Sequence, residues 1–496
     1  MSAPELRGTS LVRYLWRQLT SMRNALILLL LLGIASIPGS IFPQRTASPL
    51  KVRQYFENNP ETARWMDNFY LFDVYGSPWF SAIYILLFIS LIGCVLPRTW
   101  HYTKEIFQKL PPAPQSLENL EYFTEIEGDM AAAHDWLKRH RFRISKGEGW
   151  ITAEKGYLRE TGNLLFHLSL VMILIGIASS SVFGMRGEAI INIGERFINT
   201  PTSYDNLALG RFFSLKNLPP FTIQATNFEA KYDAQTRAPL DYTLQTKVSI
   251  APDAPEVAKV VKVNSPLTFG STRVYLQANG YSPLVTVRDK NGVVKFEGPV
   301  PFLPQDANLS SIGAIKVPDM SPQIGFVASF LPTAARDQVR GGFSVFPELL
   351  DPQLLLSVWQ GDLKMDKGVP QSVYRIDTTG MERIGLKSLR IGETYEFGGV
   401  DQTTFVGSIT FNGVIPWVNL QIVKDPGKQY ALAGSILAIT GLLMSLFLRQ
   451  RRVWIRSKNG RLQIAGLSAN RLPGLSDEIR RLVAELPSQT SEKRSL

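Results

Sequence analysis

The chain has 496 residues, too many for one ordinary core, and this length predicts several structural parts. Its formal net charge is +11, but no basic patch with interleaved aromatic residues occurs, which argues against nucleic-acid binding. One cysteine and four histidines form no CxxC, CxxCH or HExxH motif, and the sequence has no Walker loop. The sequence therefore carries none of these motifs of the common redox, zinc-hydrolase and nucleotide-binding enzymes.

Four stretches contain no Asp, Glu, Lys or Arg, and each is 19 to 21 residues long. A helix of about 20 residues crosses about 30 Å of hydrocarbon, so each stretch predicts a transmembrane helix. A buried core helix would explain one such stretch but not four. The first is interpreted as a retained span, because Pro38–Pro43 stands where a signal peptide would have its cleavage site. The stretches are Asn24–Pro43, Trp79–Pro97, Asn163–Phe183 and Tyr430–Leu448.

The charges at the two ends of the chain predict its orientation. Residues 1–23 carry four arginines against one glutamate, a net +3, and the residues after Leu448 carry eleven basic against four acidic side chains, a net +7. Loops 45–78 and 98–161 are each neutral. Positively charged flanks stay in the cytoplasm. We therefore expect a multi-pass protein of the bacterial plasma membrane with both termini cytoplasmic and the large domain extracytoplasmic.

These boundaries divide the chain into nine predicted parts. They are a cytoplasmic N-terminus (1–23), transmembrane helix 1 (24–43), an external loop (44–78), transmembrane helix 2 (79–97), a cytoplasmic β-α-β-β unit (98–162), transmembrane helix 3 (163–183), an external β-rich domain (184–429), transmembrane helix 4 (430–448) and a cytoplasmic tail (449–496). In the tail, Asn459-Gly460 predicts a hairpin between Arg452–Ser457 and Arg461–Ala465, followed by a short amphipathic helix at Ser476–Leu486.

The long segment between the last two spans alternates apolar and polar residues in many short runs. Such runs, separated by turn residues, predict an all-β sandwich or barrel. The Asn-Gly pair in Asp289-Lys290-Asn291-Gly292 predicts a hairpin. The predicted strands are Phe221–Phe228, Tyr242–Ile250, Val260–Val263, Val274–Gln277, Leu284–Arg288, Val293–Phe296, Gly325–Ser329, Ser372–Ile376, Tyr395–Phe397 and Thr404–Phe411. The predicted fold class is a polytopic α-helical membrane protein with four transmembrane helices and a large extracytoplasmic all-β domain.

His167 is the candidate site residue. It lies roughly 6 Å into the third span from the cytoplasmic end, at about 1.5 Å per residue counted from Asn163. Ionisable residues inside a membrane are functional candidates by default. The alternative is an interfacial histidine hydrogen-bonded to a neighbouring helix, and the residues alone leave the two interpretations equal.

The other reactive residue types favour structural interpretations. Cys94, near the cytoplasmic end of the second span, is expected to be a small buried apolar residue. The run Ala178–Ser181 is expected to form a close helix contact and not a polar pathway. His101, His134 and His140 lie among basic residues of a cytoplasmic loop and are expected to be solvated. The external domain contains neither His nor Cys, so no ordinary zinc, copper or histidine-ligated haem site is expected there.

Several motifs together resemble one family over nearly the whole chain. The string Ala153-Glu154-Lys155-Gly156, followed by Arg159, Gly162 and His167, is similar to ResB, the membrane component of the system II cytochrome c maturation machinery. The other matching motifs are Pro38–Gln44, Leu71–Tyr75 with Ser77–Phe80, Gly93–Arg98, Val263–Leu267 with Gly270 and Tyr275, and Asp425–Gly427.

The resemblance implies a component of the system II cytochrome c maturation complex that handles haem across the membrane. It implies a second polytopic partner with a Trp-rich haem-handling loop, apocytochrome c as the protein that receives haem, and haem b bound transiently and shared with the partner. The chain would be non-catalytic alone, a subunit of a holocytochrome c synthetase complex. His167 corresponds to a histidine thought to be an axial haem ligand, and neutral imidazole on an apolar helix suits that role.

Two other function classes compete with this interpretation. The first is a membrane-anchored β-domain that acts as a binding or sensor module without haem. The second is a secondary transporter, which the absence of internal repeats and broken helices disfavours. The partners expected on the preferred interpretation are the polytopic subunit, apocytochrome c and the lipid bilayer, with no nucleic acid.

Overall fold

The structure, a computed structural model, describes residues 9–45, 48–120, 122–339, 341–365, 372–400, 404–468 and 474–486. Parts of the predicted N-terminus and tail lie outside these ranges. The chain forms two units, residues 1–178 with 427–496 and residues 179–426. We call the first the membrane unit and the second the β domain.

Nine α-helices lie in the described ranges, and four of them are long and apolar enough to cross a membrane. The helices are α1 (Thr9–Leu19), α2 (Met22–Ile41), α3 (Pro49–Asn58), α4 (Pro60–Asn68), α5 (Pro78–Phe107), α6 (Met130–Arg139), α7 (Leu158–Phe183), α8 (Lys428–Phe447) and α9 (Leu475–Glu485). The spans α2, α5, α7 and α8 confirm the predicted four transmembrane helices. Two of them begin at serine caps, since Ser21 Oγ accepts from Asn24 N and Ser77 Oγ from Phe80 N.

The strands number twenty-three in the same ranges. They are β1 (Tyr122–Ile126), β2 (Arg143–Gly147), β3 (Trp150–Lys155), β4 (Met185–Asn192), β5 (Arg196–Ile198), β6 (Asn206–Leu209), β7 (Thr222–Tyr232), β8 (Pro239–Ser249), β9 (Val257–Lys262), β10 (Leu267–Phe269), β11 (Thr272–Asp289), β12 (Val294–Pro299), β13 (Leu303–Pro304), β14 (Ser311–Val317), β15 (Ile324–Leu331), β16 (Ala334–Asp337), β17 (Gly341–Ser344), β18 (Gln353–Gln360), β19 (Glu382–Arg390), β20 (Thr394–Gly398), β21 (Phe405–Lys424), β22 (Arg451–Lys458) and β23 (Arg461–Ser468).

A small α+β layer in the membrane unit joins two distant parts of the chain. Its antiparallel sheet has the order β1-β23-β22-β3-β2, so the tail hairpin pairs with strands of the loop between α5 and α7. Helices α6 and α9 cover the sheet with Trp136, Leu137 and Leu482, which are almost fully buried. The loop and the tail were predicted as separate elements, and the structure shows one domain.

The segment between α2 and α5 is fixed by one buried glutamine. Gln44 donates from Nε2 to the carbonyl oxygens of Phe42 and Leu71, each at 3.0 Å, and its Oε1 accepts from Val74 N at 3.0 Å. Phe72 is fully buried beside these contacts. The two motifs that end the first span and begin the second therefore form one packed element.

The β domain contains two apolar cores that share two long strands. Strands β11 and β21 pair antiparallel along nearly their whole length, with register shifts at Leu276/Ala278 and Leu284/Val285. One end of this pair packs against the sheet β13-β14-β15-β18-β19, and the other end packs against the sheet β5-β7-β8-β9. The predicted all-β character is confirmed, and the architecture is two sandwiches built on one long antiparallel strand pair.

Two strand predictions for this domain were wrong. Ser372–Ile376 alternates in polarity but forms irregular chain, in which Tyr374 contacts Asp205 instead of a strand neighbour. Val274–Gln277 and Leu284–Arg288, predicted as separate strands, belong to the single strand β11, because the Gly280 region between them stays paired with β21 opposite Trp417. The predicted hairpin at Asp289–Gly292 is present, with β12 returning along β11.

Candidate functional site

His167 lies in the third turn of α7 and has one ring nitrogen already occupied. Its Nδ1 is 2.8 Å from the carbonyl oxygen of Asn163, one turn earlier in the same helix. A carbonyl oxygen can only accept, so Nδ1–H donates and the neutral ring carries its free lone pair on Nε2. The local helix therefore fixes the tautomer in which Nε2 is available as a metal ligand.

The opposite side of α7 packs against α8 through small residues. A Cβ on Gly162 would lie 2.8 Å from Gly441 O, and one on Gly434 would lie 3.0 Å from Ser169 O, so the two backbones touch. Small residues allow this close approach in membranes. At about 100° per residue, His167 points roughly 160° away from Ser169. The histidine is therefore free of the α7–α8 contact.

Helix α5 meets α7 on the face that carries His167. The Tyr84 hydroxyl donates to Leu174 O at 2.8 Å, and Arg98 Nη2 lies 3.7 Å from Glu160 Oε2. Glu160, His167 and Leu174 are spaced by seven residues, which places them on nearly the same helix face. His167 thus lies between two contacts made by long side chains, and its ring remains half-exposed beside an edge-on Phe166.

The motif that precedes His167 anchors the first turn of α7. Glu154 is buried, and its Oε1 accepts from Gln450 Nε2 at 2.7 Å and from Arg452 Nη2 at 3.2 Å. Gly156 has a φ of +74°, and a Cβ there would overlap the carbonyl oxygen of Arg449. The role of this motif cannot be derived from local sequence, because its partners lie about three hundred residues away along the chain.

The remaining histidines do not join His167. The ring of His101 lies 3.4 Å from Glu105 on the exposed side of α5, and His134 lies 3.2 Å from Asp135. His140 stacks on Trp136 with ring centroids 3.8 Å apart. Within the described ranges, no group of three or more His, Cys, Asp or Glu side chains is arranged to hold a metal ion.

The cysteine and the serine run have local partners. Cys94 is half-buried, and its thiol donates to Leu91 O at 3.3 Å inside its own helix. Ser180 Oγ donates to Asp425 Oδ1, the first residue of the Asp-Pro-Gly motif before α8. The expected close helix contact is made by Gly162 and Gly176 of α7, while the serine run contacts a carboxylate.

A cavity of about 500 Å³ in the β domain is mainly apolar. Phe296, Val300 and Ile315 line it, and the Tyr374 hydroxyl donates to Asp205 Oδ1 at 3.3 Å on its polar side. Burial, reinforced by the nearby Asp205 carboxylate, raises the pKa of Tyr374 well above its ordinary value, so the phenol is neutral at physiological pH. The cavity offers hydrogen bonds but no histidine or thiolate ligand.

The sequence motifs and the four-span architecture agree with one known family. The ResB-like family matches residues 22–480. The chain belongs to the ResB-like family. This confirms the resemblance inferred from the motifs around Glu154, Gly156 and His167, all of which lie within the matched range.

Relatives of this ResB-like chain match it along nearly their whole length. A cytochrome c biogenesis protein CcsB of Synechococcus sp. strain JA-2-3B'a(2-13) is 26% identical over 498 residues, which covers 98% of this chain and 96% of the relative. Another protein of that name, from Synechococcus sp. strain RCC307, is 27% identical over 482 residues, 94% of each chain. A third, from Gloeobacter violaceus, is 24% identical over 493 residues, 96% of this chain and 91% of the relative.

Proposed function

We propose that this ResB-like chain acts in cytochrome c maturation as a haem-handling membrane subunit, with His167 as an axial ligand of haem iron. The full-length relatives are named for cytochrome c biogenesis. The single observation that carries the ligand assignment is the hydrogen bond from His167 Nδ1 to Asn163 O, which leaves Nε2 as a neutral nitrogen donor inside an apolar helix.

The residues around His167 fit a flat apolar group with a metal centre. The Asn163 carbonyl holds the ring orientation and leaves Nε2 facing away from the bonded nitrogen. Leu170, Val171 and Leu174 continue the same side of α7 and offer apolar surface to such a group. Haem b, bound transiently, would supply the iron and the vinyl groups that are joined to the CxxCH thiols of apocytochrome c.

We expect any further protein ligand of the haem iron to come from another chain. In the described part of the structure, the other three histidines all have local contacts in or beside the small sheet domain and none approaches His167. The ring of His167 is only partly buried, so a ligand from another chain has access to it beside the α5 contacts. We assign that ligand to a polytopic partner with a Trp-rich loop, with which this chain forms a holocytochrome c synthetase complex and without which it is non-catalytic.

The small sheet domain supports the proposed topology. Because β1, β2 and β3 from the loop after α5 share one sheet with β22 and β23 from the tail, the loop and the tail lie on the same side of the membrane. The Arg-rich flanks of α2 and α8 assign that side to the cytoplasm. The β domain then lies outside the plasma membrane, where apocytochrome c receives its haem.

Fusions to alkaline phosphatase test this topology. Phosphatase fused after Ser214 or Gly280 should be active, because both positions lie in the exported β domain. Fusions after Gln115 or Gly460 should be inactive but present at comparable protein level. Activity of the Gln115 fusion would contradict the assigned orientation.

A visible spectrum tests the function itself. The full chain, purified with its co-expressed polytopic partner, should show a sharp Soret band of protein-bound haem. The competing class, a membrane-anchored β-domain that binds or senses without haem, predicts a complex with no such absorbance. A haem-free complex that still supports cytochrome c formation in cells would remove haem handling from this subunit.

A further inference from the structure

A polar cavity of about 390 Å³ lies within the membrane unit, beside the small sheet domain. Its walls carry three cationic side chains, two tyrosines and one buried glutamate. These side chains are Tyr102, Lys109, Arg143, Glu154, Tyr157 and Arg452. We call it the interfacial cavity.

The interfacial cavity lies where three membrane helices reach their polar ends. Tyr102 belongs to the last turns of α5, Tyr157 directly precedes α7, and Arg452 follows α8 by a few residues. The Tyr102 hydroxyl donates to Tyr157 O at 2.6 Å, which joins two of these helix ends. Tyrosine and arginine concentrate at this depth of a membrane, level with the lipid headgroups.

The cavity contains a buried hydrogen-bond donor without an acceptor in the described part of the chain. Arg452 Nη2 pairs with Glu154 at 3.2 Å, but Arg452 Nε is buried and meets no acceptor in the described part of the chain. Arg143 donates to Gln108 O, and its guanidinium lies 5.6 Å from the centre of the Tyr157 ring. The Glu154 carboxylate accepts from Gln450 Nε2 and Arg452 Nη2, and Arg452 Nε still has no acceptor among the described residues.

The charged side chains that line the cavity are also unequal in number, with more cations than carboxylates. Lys109 is exposed at the cavity and has no ion pair in the ranges that the structure describes. Glu105, the other acidic residue of the lining, lies 3.4 Å from His101. Lys109, Arg143 and Arg452 against Glu105 and Glu154 leave the lining with a net positive charge.

We infer that the interfacial cavity binds the phosphate group of an anionic phospholipid. Arginine forks match phosphate oxygens, and a phosphate would give Arg452 Nε the acceptor that it lacks and Arg143 an acceptor besides Gln108 O. The position at the helix ends favours a lipid headgroup over soluble phosphate, since basic pockets at this depth bind anionic headgroups. Exposed Leu96 and Leu158 on the adjoining helices offer apolar surface for the acyl chains. This inference does not depend on haem binding.

Titration of the purified full chain with lipid, followed by native mass spectrometry, tests the inference. Phosphatidylglycerol should bind more tightly than phosphatidylcholine. Lys109→Ala should weaken phosphatidylglycerol binding about fivefold, the effect of one basic residue near a membrane surface. Lys109→Arg should restore it. Because Lys109 is exposed, these variants should fold normally.

The matched control is Lys104→Ala, on the same helix. Lys104 lies 4.9 Å from the Trp100 ring centre and does not line the cavity, so this variant should bind phosphatidylglycerol like the wild type. Equal losses in both alanine variants would show diffuse surface charge and overturn the inference. Full competition by inorganic phosphate, without any preference for phosphatidylglycerol, would assign the cavity to a soluble anion and reject the lipid.

Discussion

Replacing His167 by alanine should abolish holocytochrome c formation while the four-helix protein remains in the membrane. Alanine is well tolerated in an apolar helix, and His167 points away from the α7–α8 contact, so the packing at Gly162 and Gly441 stays intact. Loss of a metal ligand should lower haem-stained c-type cytochrome by about tenfold or more. Haem staining and an immunoblot of the chain measure both quantities in one culture.

Imidazole added to the His167→Ala strain separates a ligand from a structural histidine. It supplies the same nitrogen donor without the tether, so cytochrome c formation and haem retention should partly return. If His167 is a structural residue, the His167→Ala variant would be present at a lower protein level, and imidazole would not restore that level. His101→Ala is the matched control, because the exposed His101 pairs with the exposed Glu105 on the surface of α5, so this variant should assemble cytochrome normally. Unimpaired assembly in His167→Ala would reject the ligand assignment.

The four spans could be predicted because a helix that crosses the hydrocarbon needs about 20 residues without charge, and four stretches of the chain meet that requirement. The same criterion does not locate a helix end that leaves the hydrocarbon. Helix α5 continues beyond Pro97 to Phe107, and Arg98 in this extension pairs with Glu160 of α7. Likewise, the pairing of β22 with β3 depends on side chains far apart in sequence, and no local pattern specifies it.

The candidate site was predictable only in part. His167 could be singled out, since an ionisable residue is costly in an apolar helix. Its hydrogen bond to Asn163 O follows from helix geometry, but the Tyr84 and Arg98 contacts on the same face do not, because they depend on how α5 lies against α7. In the β domain, alternation predicted many strands but could not show that Gly280 continues β11 through both cores.

Gly156→Ala should destabilise the membrane unit more than a methyl group added at an open glycine position such as Gly460. A non-glycine residue at a φ of +74° costs about 1–2 kcal/mol. The new Cβ would also overlap the carbonyl oxygen of Arg449, a backbone atom that cannot rotate away. We expect a total loss of at least about 2 kcal/mol, because strain and overpacking add. The measurements are the thermal aggregation midpoint of the detergent-solubilised chain and its steady-state level.

Gly460→Ala isolates the contribution of the close approach. Gly460 has a similar φ of +79°, but no atom lies within 4 Å of its Cβ position, so this variant bears the conformational cost alone. Gly156→Ala should therefore lower the aggregation midpoint clearly further than Gly460→Ala. It should also lower cytochrome c assembly, since Gly156 and Glu154 hold the base of the helix that carries His167. Equal midpoints in the two variants would show that the segment after α8 moves aside, and that the position of α7 does not depend on this contact.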